Sequence, residues 1–347
     1  MPAPMTYPDT VPHRASTDRL SLIYSHPGPY VSVYLQTRPL MREAITDTAV
    51  RWMALRARLV ADGAPVRALE AIDARLALPH PAEAAAVGVI AASDGHTIVD
   101  HALEPPHIDL TRLDTLPYAA PMIEWDQRRV PHLVVVVDGR GADIVSFTAN
   151  QRTEMVSIEG GVDVIAEAGQ ERVAETGARL IVVGGDPGRA EALADALVPR
   201  VGPACNVVIE LDETPDALAD STVRQVFDSV ATDTVAFLRE FRFLAEHDSA
   251  VEGMDETLAA LRSRRPGVLL IHDDPSDDRR VWLGDTPTDL HASSADGRTE
   301  TARFVDAAIR AAIATGIRVH VIPSTGAAGP DEGVAHLHRG TPDIEAI

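Results

Sequence analysis

The sequence predicts a mixed α/β protein built from three domains. Three observations carry that prediction. The length of 347 residues holds two or three domains at the usual ~100–150 residues each. Short runs rich in Val and Ile alternate with stretches of helical spacing along the whole chain. The composition is 45% hydrophobic, so each domain has apolar material for a core. No apolar run approaches the ~20 residues that a membrane span needs.

The formal charge is −21, and with no lysine in the chain all 31 basic residues are arginines. Such an acidic chain is poorly suited to general nucleic-acid binding, which needs clustered cations. A local arginine patch is still compatible with it. The opening MPAPMTYPDT lacks the basic-then-apolar pattern of a secretory signal. The single Cys205 has no internal disulfide partner. Together these point to a cytoplasmic protein.

Residues 1–128 form the first predicted domain. A Pro-rich start, expected to fray, precedes a short helix that ends at Tyr24, with Ser16 or Thr17 placed to cap it. Tyr30–Leu35 alternates as a strand. Ala44–Val60 carries Ile45, Val50, Met53, Leu59 and Val60 at helical spacing, with Arg51, Arg56 and Arg58 expected on a solvated face. A second helix covers Val66–Leu76. Ala84–Ala91 and His96–Ala102 flank the turn Ser93-Asp94-Gly95 as a hairpin. Pro105 and Pro106 break the pattern, and Leu110–Tyr118 reads as irregular. His96, His101 and His107 do not have metal-ligand spacing.

Residues 129–212 form the second predicted domain, which starts just after Gln127-Arg128-Arg129. In PHLVVVVDGRGADIVSF, Pro131–Phe147, a buried strand meets a glycine turn and a returning strand. Thr153–Ile158 reads as a third antiparallel strand. Val164–Glu175 is helical, and Gly177 ends it. Arg179–Val183 is a fully apolar strand, Ala190–Leu197 a helix, and Asn206–Leu211 a further strand. Asp186 and Pro187 stand where an N-cap and first helical residue belong. Three strands followed by helix, strand, helix and strand resemble a ribonuclease-H-like architecture.

Residues 213–347 form the third predicted domain. Ala217–Glu246 is a long helical stretch and Met254–Leu261 a second helix. Val268–Ile271 is a buried strand, Asp273–Arg280 a charged loop expected in solvent, and Val281–Leu283 a short strand. Glu300–Thr315 is a helix stopped by Gly316. Ile317–Ile322 and Val334–His338 are strands around the Gly/Pro-rich loop Ser324–Gly333.

Candidate chemistry is sparse. The Gly184–Arg189 turn opens a helix after a strand, a setting that favours anions, but it is neither a P-loop nor GxGxxG. After His272, the carboxylates of Asp273, Asp274, Asp277 and Asp278 could offer oxygen ligands to Mg²⁺ at a strand end, or simply form a solvated loop. His336 and His338 share a strand face, but two ligands do not make a zinc site. Asp138 suits the hairpin turn, and Arg140 at its tip could reach phosphate. No G-x-S-x-G elbow, HExxH or Cys/His cluster is present, so no cofactor or metal is expected.

Four stretches in order carry a family resemblance: YVSVYLQTR, MIEWDQRRVPHLVVVVDGRGADIVSF, RLIVVGGD and GIRVHVIPSTG with GVAHL after it. The chain resembles the bacterial and archaeal relatives of the archaeo-eukaryotic peptide-chain release factor and Pelota. The best match is the actinobacterial branch related to the hibernation factor Balon. The resemblance implies a translation-associated factor that binds rRNA at the ribosomal A site, in stress or hibernation. Its N-terminal domain would face the decoding region and its ribonuclease-H-like domain the peptidyl-transferase centre. Its C-terminal domain would resemble the kink-turn-binding ribosomal-protein fold. The ribosome is the implied partner, with elongation factor Tu a second; neither DNA nor a membrane is implied.

In release factors a Gly-Gly-Gln loop lets water reach the ester of peptidyl-tRNA, by positioning rather than by an activated side chain. Here only Gly160–Gly177 fills the interval where relatives carry a long basic loop and helix. Ala168-Gly169-Gln170 looks like a degenerate version, but its surroundings read as helix. Gly169 and Gln170 are therefore the weak catalytic candidates. Arg51, Arg56, Arg58, Arg128, Arg129 and Arg140 are the candidates for RNA phosphate. The alternatives are a peptidyl-tRNA hydrolase or release factor, and a protein-interaction module that has lost ribosome binding.

Overall fold

A computed structural model of the chain describes residues 14–37, 48–80, 84–102, 109–148, 153–210, 215–247, 249–293, 299–322 and 330–338. The Pro-rich start, Arg38, the first turn expected of the Ala44–Val60 helix, Pro105, Pro106, His107 and most of Ser324–Gly333 lie outside these residues. The chain divides into two compact units. One comprises residues 126–237; the other comprises residues 13–125 together with 238–347.

The first part of the second unit contains α1 (Arg14–Ile23), β1 (Tyr30–Gln36), α2 (Thr48–Ala61), α3 (Val66–Leu76), β2 (Ala86–Ala91), β3 (Thr97–Ala102), β4 (Leu110–Asp114) and α4 (Ala120–Gln127). Its antiparallel sheet has the order β3-β2-β1-β4. β1 is buried on both faces, which explains why its residues are apolar but for Ser32 and Gln36, and the buried Ser32 Oγ accepts from Tyr118 N at 3.0 Å. Val31, Val33 and Leu35 pack with Trp52, Leu59, Leu69 and Ile72, while Tyr30 and Tyr34 face a different core.

Two expectations are corrected here. Leu110–Asp114 is not irregular, because β1 supplies a backbone partner, pairing Tyr34 with Leu110 and Tyr30 with Asp114. A half-buried edge strand of this kind has too weak an alternation to be read locally. The first helix begins at Arg14, so Ser16 and Thr17 lie within its first turn rather than at its cap.

The unit of residues 126–237 contains β5 (His132–Val137), β6 (Gly141–Phe147), β7 (Thr153–Glu159), α5 (Val162–Thr176), β8 (Leu180–Gly185), α6 (Pro187–Val201), β9 (Asn206–Ile209) and most of α7 (Pro215–Glu246). Its sheet has the order β7-β6-β5-β8-β9. β5, β6 and β7 pair antiparallel, and β8 and β9 add parallel to β5. This is the ribonuclease-H-like order expected for the segment. Leu133, Val135, Val137, Ile181 and Val183 pack on one face against Ile165 of α5 and Leu193 and Leu197 of α6. Leu180 and Val182 point to the other face, against Leu218 and Val226 of α7.

Local chemistry sets the ends of these elements. Asp186 caps α6 by accepting a hydrogen bond from Arg189 N at 3.0 Å, with Pro187 at the first helical position. Gly177 ends α5 at φ +67°. Gly185, at φ +105°, brings β8 so close to β5 that a Cβ there would lie 2.0 Å from Val137 O.

The last part of the chain contains β10 (Ala250–Glu252), α8 (Met254–Arg262), β11 (Gly267–His272), β12 (Arg280–Leu283), β13 (Leu290–His291), β14 (Thr301–Arg303), α9 (Phe304–Thr315), β15 (Arg318–Ile322) and β16 (Val334–His338). One sheet runs β10-β16-β11-β15, with β11 and β15 parallel, and a small one runs β13-β12-β14. The helix expected from Glu300 starts instead at Phe304, because Thr301–Arg303 pairs with β12. Leu269, Ile271, Phe304, Ile309 and Val321 share one hydrophobic core with Leu20, Tyr34, Tyr118 and Met122. Two segments far apart in sequence therefore fold as one unit. No helix among the described residues is long and apolar enough to cross a membrane.

Candidate functional site

Ala168-Gly169-Gln170 lies in the middle of α5. Gly169 is buried at the crossing with α6, where a Cβ would come 3.0 Å from Leu197 Cδ2. Gln170 is on the exposed side of the same turn. Between β7 and β8 there are only the Gly160-Gly161 turn, this 15-residue helix and the link of residues 177–179. The helical reading of the segment is what the structure contains.

The C-terminal ends of β5 and β8 carry the turns singled out in the sequence. Asp138 Oδ1 accepts from Arg140 N at 2.7 Å and Gly141 N at 2.8 Å. Those backbone N–H groups hold its carboxyl below the usual range. The Gly184–Arg189 turn is held internally. Arg189 Nη1 donates to Gly139 O at 3.2 Å and Nη2 to Gly160 O at 3.0 Å, so one guanidinium ties three turns together. Replacing Arg189 with Ala is expected to cost about 1–2 kcal/mol, because these are partly exposed charge-assisted bonds. A urea midpoint shift is the measurement.

The six arginines fall into two kinds. On α2, Arg51 Nε pairs with Asp109 Oδ2 at 2.5 Å, and Arg51 Nη2 donates to Gln36 O. Arg56 Nε contacts both Asp73 oxygens, at 3.0 and 3.1 Å, and Trp52 Nε1 donates to the same carboxylate at 2.7 Å. These arginines staple α2 to its neighbours, a correction to the solvated face expected for them. Arg129 pairs with the buried Asp126 at 3.0 Å. Arg58 and Arg140 are exposed, and Arg128 is half-buried. Arg128 and Arg129 precede β5 while Arg140 follows it, so a strand of about 20 Å separates them.

The charged loop Asp273–Arg280 gives a second correction. Asp273 is 7% exposed and accepts a hydrogen bond from Tyr118 Oη at 2.6 Å. The Tyr118 ring lies between two guanidinium groups, Arg112 at 5.1 Å and Arg303 at 5.0 Å from its centroid. Arg303 is 1% exposed; its Nε donates to Asp277 O and its Nη2 to Asp274 O, each at 2.6 Å. Arg303 Nη1 lies 3.5 Å from Oδ1 of Asp306, which is fully buried. Asp306 Oδ2 has no hydrogen-bond partner among the described residues. Burial pushes the Asp306 carboxyl up to about 7, against the pull of Arg303. Burial also raises Asp273, against the Tyr118 hydrogen bond. The loop folds inward because Arg303 needs acceptors, and the carbonyls of Asp274 and Asp277 provide them.

Strongly shifted carboxyls often mark active sites. Here the groups are sealed in the core that joins residues 13–125 to 238–347, and Arg280 bonds Asp114 at 2.9 and 3.0 Å across the same junction. The cluster is built to hold that junction. Its signal in the sequence is Arg303 and Asp306 at i,i+3, at the start of the largely apolar FVDAAIRAAIAT.

Asp274, Asp277, His336, His338, His96 and His101 also have partners, while His272 Nε2 is buried without one among the described residues. Asp274 Oδ1 accepts from Ser276 N and Oγ, and Asp277 pairs with Arg279 at 2.7 Å. His336 is fully buried, its Nδ1 is 3.1 Å from His338 Nδ1, and burial pushes it down to about 4. His96 stacks on His26 at 3.8 Å, and His101 lies beside His80. No group of His, Cys, Asp or Glu among the described residues has the arrangement of a metal site.

No protein-family model matches the chain. Two uncharacterized proteins of Mycobacterium tuberculosis, from strains CDC 1551 and H37Rv, are each 25% identical over 129 residues. That match covers 37% of this chain and 34% of each relative, so it spans about a third of their length. Among solved structures, archaeal translation termination factor aRF1 aligns over 93% of this chain and 98% of its own, at 16% identity and TM-score 0.25. A model of ribosome-bound archaeal Pelota and ABCE1 aligns over 93% and 94%, at 16% identity and TM-score 0.42. Saccharomyces cerevisiae Dom34, described as a translation termination-like factor in RNA quality control that interacts with Hbs1, aligns over 74% and 80%, at 12% identity and TM-score 0.42.

Proposed function

We propose that the chain is a translation-associated, release-factor-like protein that binds the ribosomal A site in stress or hibernation, without hydrolytic activity of its own. One observation carries this reading. The sequence stretches that resemble the release-factor and Pelota family fall on β1, the end of α4, β5, β6, β8, β15 and β16, and all of these strands but β15 have a strand on both sides. The resemblance is therefore carried by sheet-forming strands in the family's order, not by surface composition. On this reading the ribosome is the partner and elongation factor Tu a second one. The actinobacterial branch related to Balon is the proposed position within the family. Arg58 and Arg140 are the cations most available for rRNA phosphate, because Arg51, Arg56 and Arg129 already serve carboxylates.

Sedimentation of starved-cell extract at physiological salt tests the proposal. The protein is expected in the ribosomal fraction; recovery only in the ribosome-free fraction would sink the reading. Catalysis is tested separately, on ribosome-bound peptidyl-tRNA. Gln170 sits in a helix with no loop to carry it, so neither the natural protein nor Gln170→Ala is expected to release peptide. Release by the first and a loss of tenfold or more in the second would establish the release-factor alternative.

A specific observation favours a second reading, a protein-interaction module. The chain carries a charge of −21, and three of its six candidate arginines are neutralised internally. Recovery of a protein partner free of rRNA in a pull-down would select it.

A further inference from the structure

We infer that β7 is a self-association edge, through which two copies of the chain join their five-stranded sheets into one continuous antiparallel sheet. β7 closes its sheet, with β6 as its sole neighbour among the described residues. It is seven residues long and exposed at Thr153, Glu154, Met155, Ser157 and Glu159. Every second residue of such an edge turns its N–H and C=O outward, unpaired. TEMVSIE contains no Pro or Lys, its pairing with β6 is unbroken by a bulge, and its charges are Glu154 and Glu159, the first paired with Arg172 at 3.0 Å. The opposite edge of the same sheet, β9, has only four residues.

The face beside this edge carries an apolar strip next to Asp143 and Ser157, which hydrogen-bond each other at 2.6 Å. Met155 pairs with Val145, which pairs with Val134, and alternation places Val136 on the same face. Met155 is 66% exposed and Val136 39%. Exposed side chains of this type next to an open edge gain from a strand laid alongside.

A second copy of β7 fits as that strand. A two-fold axis through Val156 pairs Val156 with the partner's Val156, and Met155 with the partner's Ser157. The same register sets Glu154 against the partner's Ile158 and Thr153 against the partner's Glu159. It is the one register in which all seven residues find an opposite number. Neither glutamate meets a like charge directly across, and each Met155 lies diagonal to the other. Glu154 is already neutralised by Arg172 at 3.0 Å within each copy. A two-fold contact of this kind closes on itself and does not propagate. A single added strand is a small interface, so association in the micromolar range is expected. Each copy carries −21, so long-range repulsion opposes association and added salt should strengthen it.

Cysteine cross-linking tests the register. In a Cys205→Ser background, Val156→Cys puts two thiols across the axis, with Cα atoms about 4.5–5.5 Å apart and within disulfide reach. Mild oxidation is expected to yield a covalent dimer. Thr153→Cys in the same background should stay monomeric, because six residues, roughly 20 Å of strand, separate the two copies of that position. Sedimentation velocity of the natural protein gives a second measurement. The dimer fraction should rise with protein concentration and with salt, and Met155→Asp should abolish it. A natural protein that stays monomeric at tens of micromolar in high salt overturns the inference. So does a dimer that cross-links at position 153 as well as at 156, or that survives Met155→Asp.

Discussion

Arg303→Met is expected to cost the unit of residues 13–125 and 238–347 about 3–5 kcal/mol, the usual effect of removing one partner from a buried ion pair. The reason lies in what the guanidinium serves. It bonds the carbonyls of Asp277 and Asp274, approaches Asp306, and covers one side of the Tyr118 ring. Without it two carbonyl oxygens lose their donor, and a fully buried carboxyl loses its nearest positive charge. Urea unfolding should show a lower midpoint with an unchanged slope. Adding Asp306→Leu should restore part of the loss, because a buried ion pair replaced by apolar groups is close to neutral. Recovery should be incomplete, since the carbonyls still lack a donor and each unsatisfied group costs about 1–3 kcal/mol. A single variant within about 1 kcal/mol of the natural protein would mean that the cluster does not hold the junction.

Asp306→Asn is expected to change how stability depends on pH. Burial raises the folded-state value of Asp306 from 3.8 to about 7. Between those values the folded protein holds a proton that the unfolded chain has released. Stability from this group is therefore fully present below about pH 4 and is lost as pH rises through 7. A difference of that size between folded and unfolded states is equivalent to about 4 kcal/mol at most. Asparagine removes the ionisation while keeping the shape. The variant should match the natural protein near pH 4 and be more stable at pH 8, with the gap opening between those limits. Asp273 is raised in the same direction, so a shallower slope should remain in the variant. Parallel stability curves for the two proteins from pH 4 to 8 would show that Asp306 titrates as an ordinary carboxyl.

How much of this was legible in the sequence depends on the range of the interaction. Asp186 and Pro187 mark the start of α6 within two residues of chain, and the structure has that cap. Gly177 does the same for the end of α5. Val66–Leu76 reads directly as a helix because its buried Leu69 and Ile72 lie three apart on one face. By contrast, Leu110–Asp114 is a strand only because β1 is beside it. Thr301–Arg303 is one only because of β12, and both pairings are invisible to a local window.

The candidate site follows the same division. That Gly169 and Gln170 belong to a helix follows from the apolar spacing around them. That Arg51 and Arg56 are spent on Asp109 and Asp73 does not, because those partners lie 58 and 17 residues away.

By itself the sequence determined the alternation of strands and helices, their caps, and the order of motifs that resembles the release-factor and Pelota family. Those features depend on side-chain periodicity and backbone preference within a few residues. Only the tertiary structure decided that residues 13–125 and 238–347 share one core, and that the acidic loop after β11 turns inward. Tyr118 meets Asp273 across 155 residues of chain, and a buried charge is stable only where such distant partners converge.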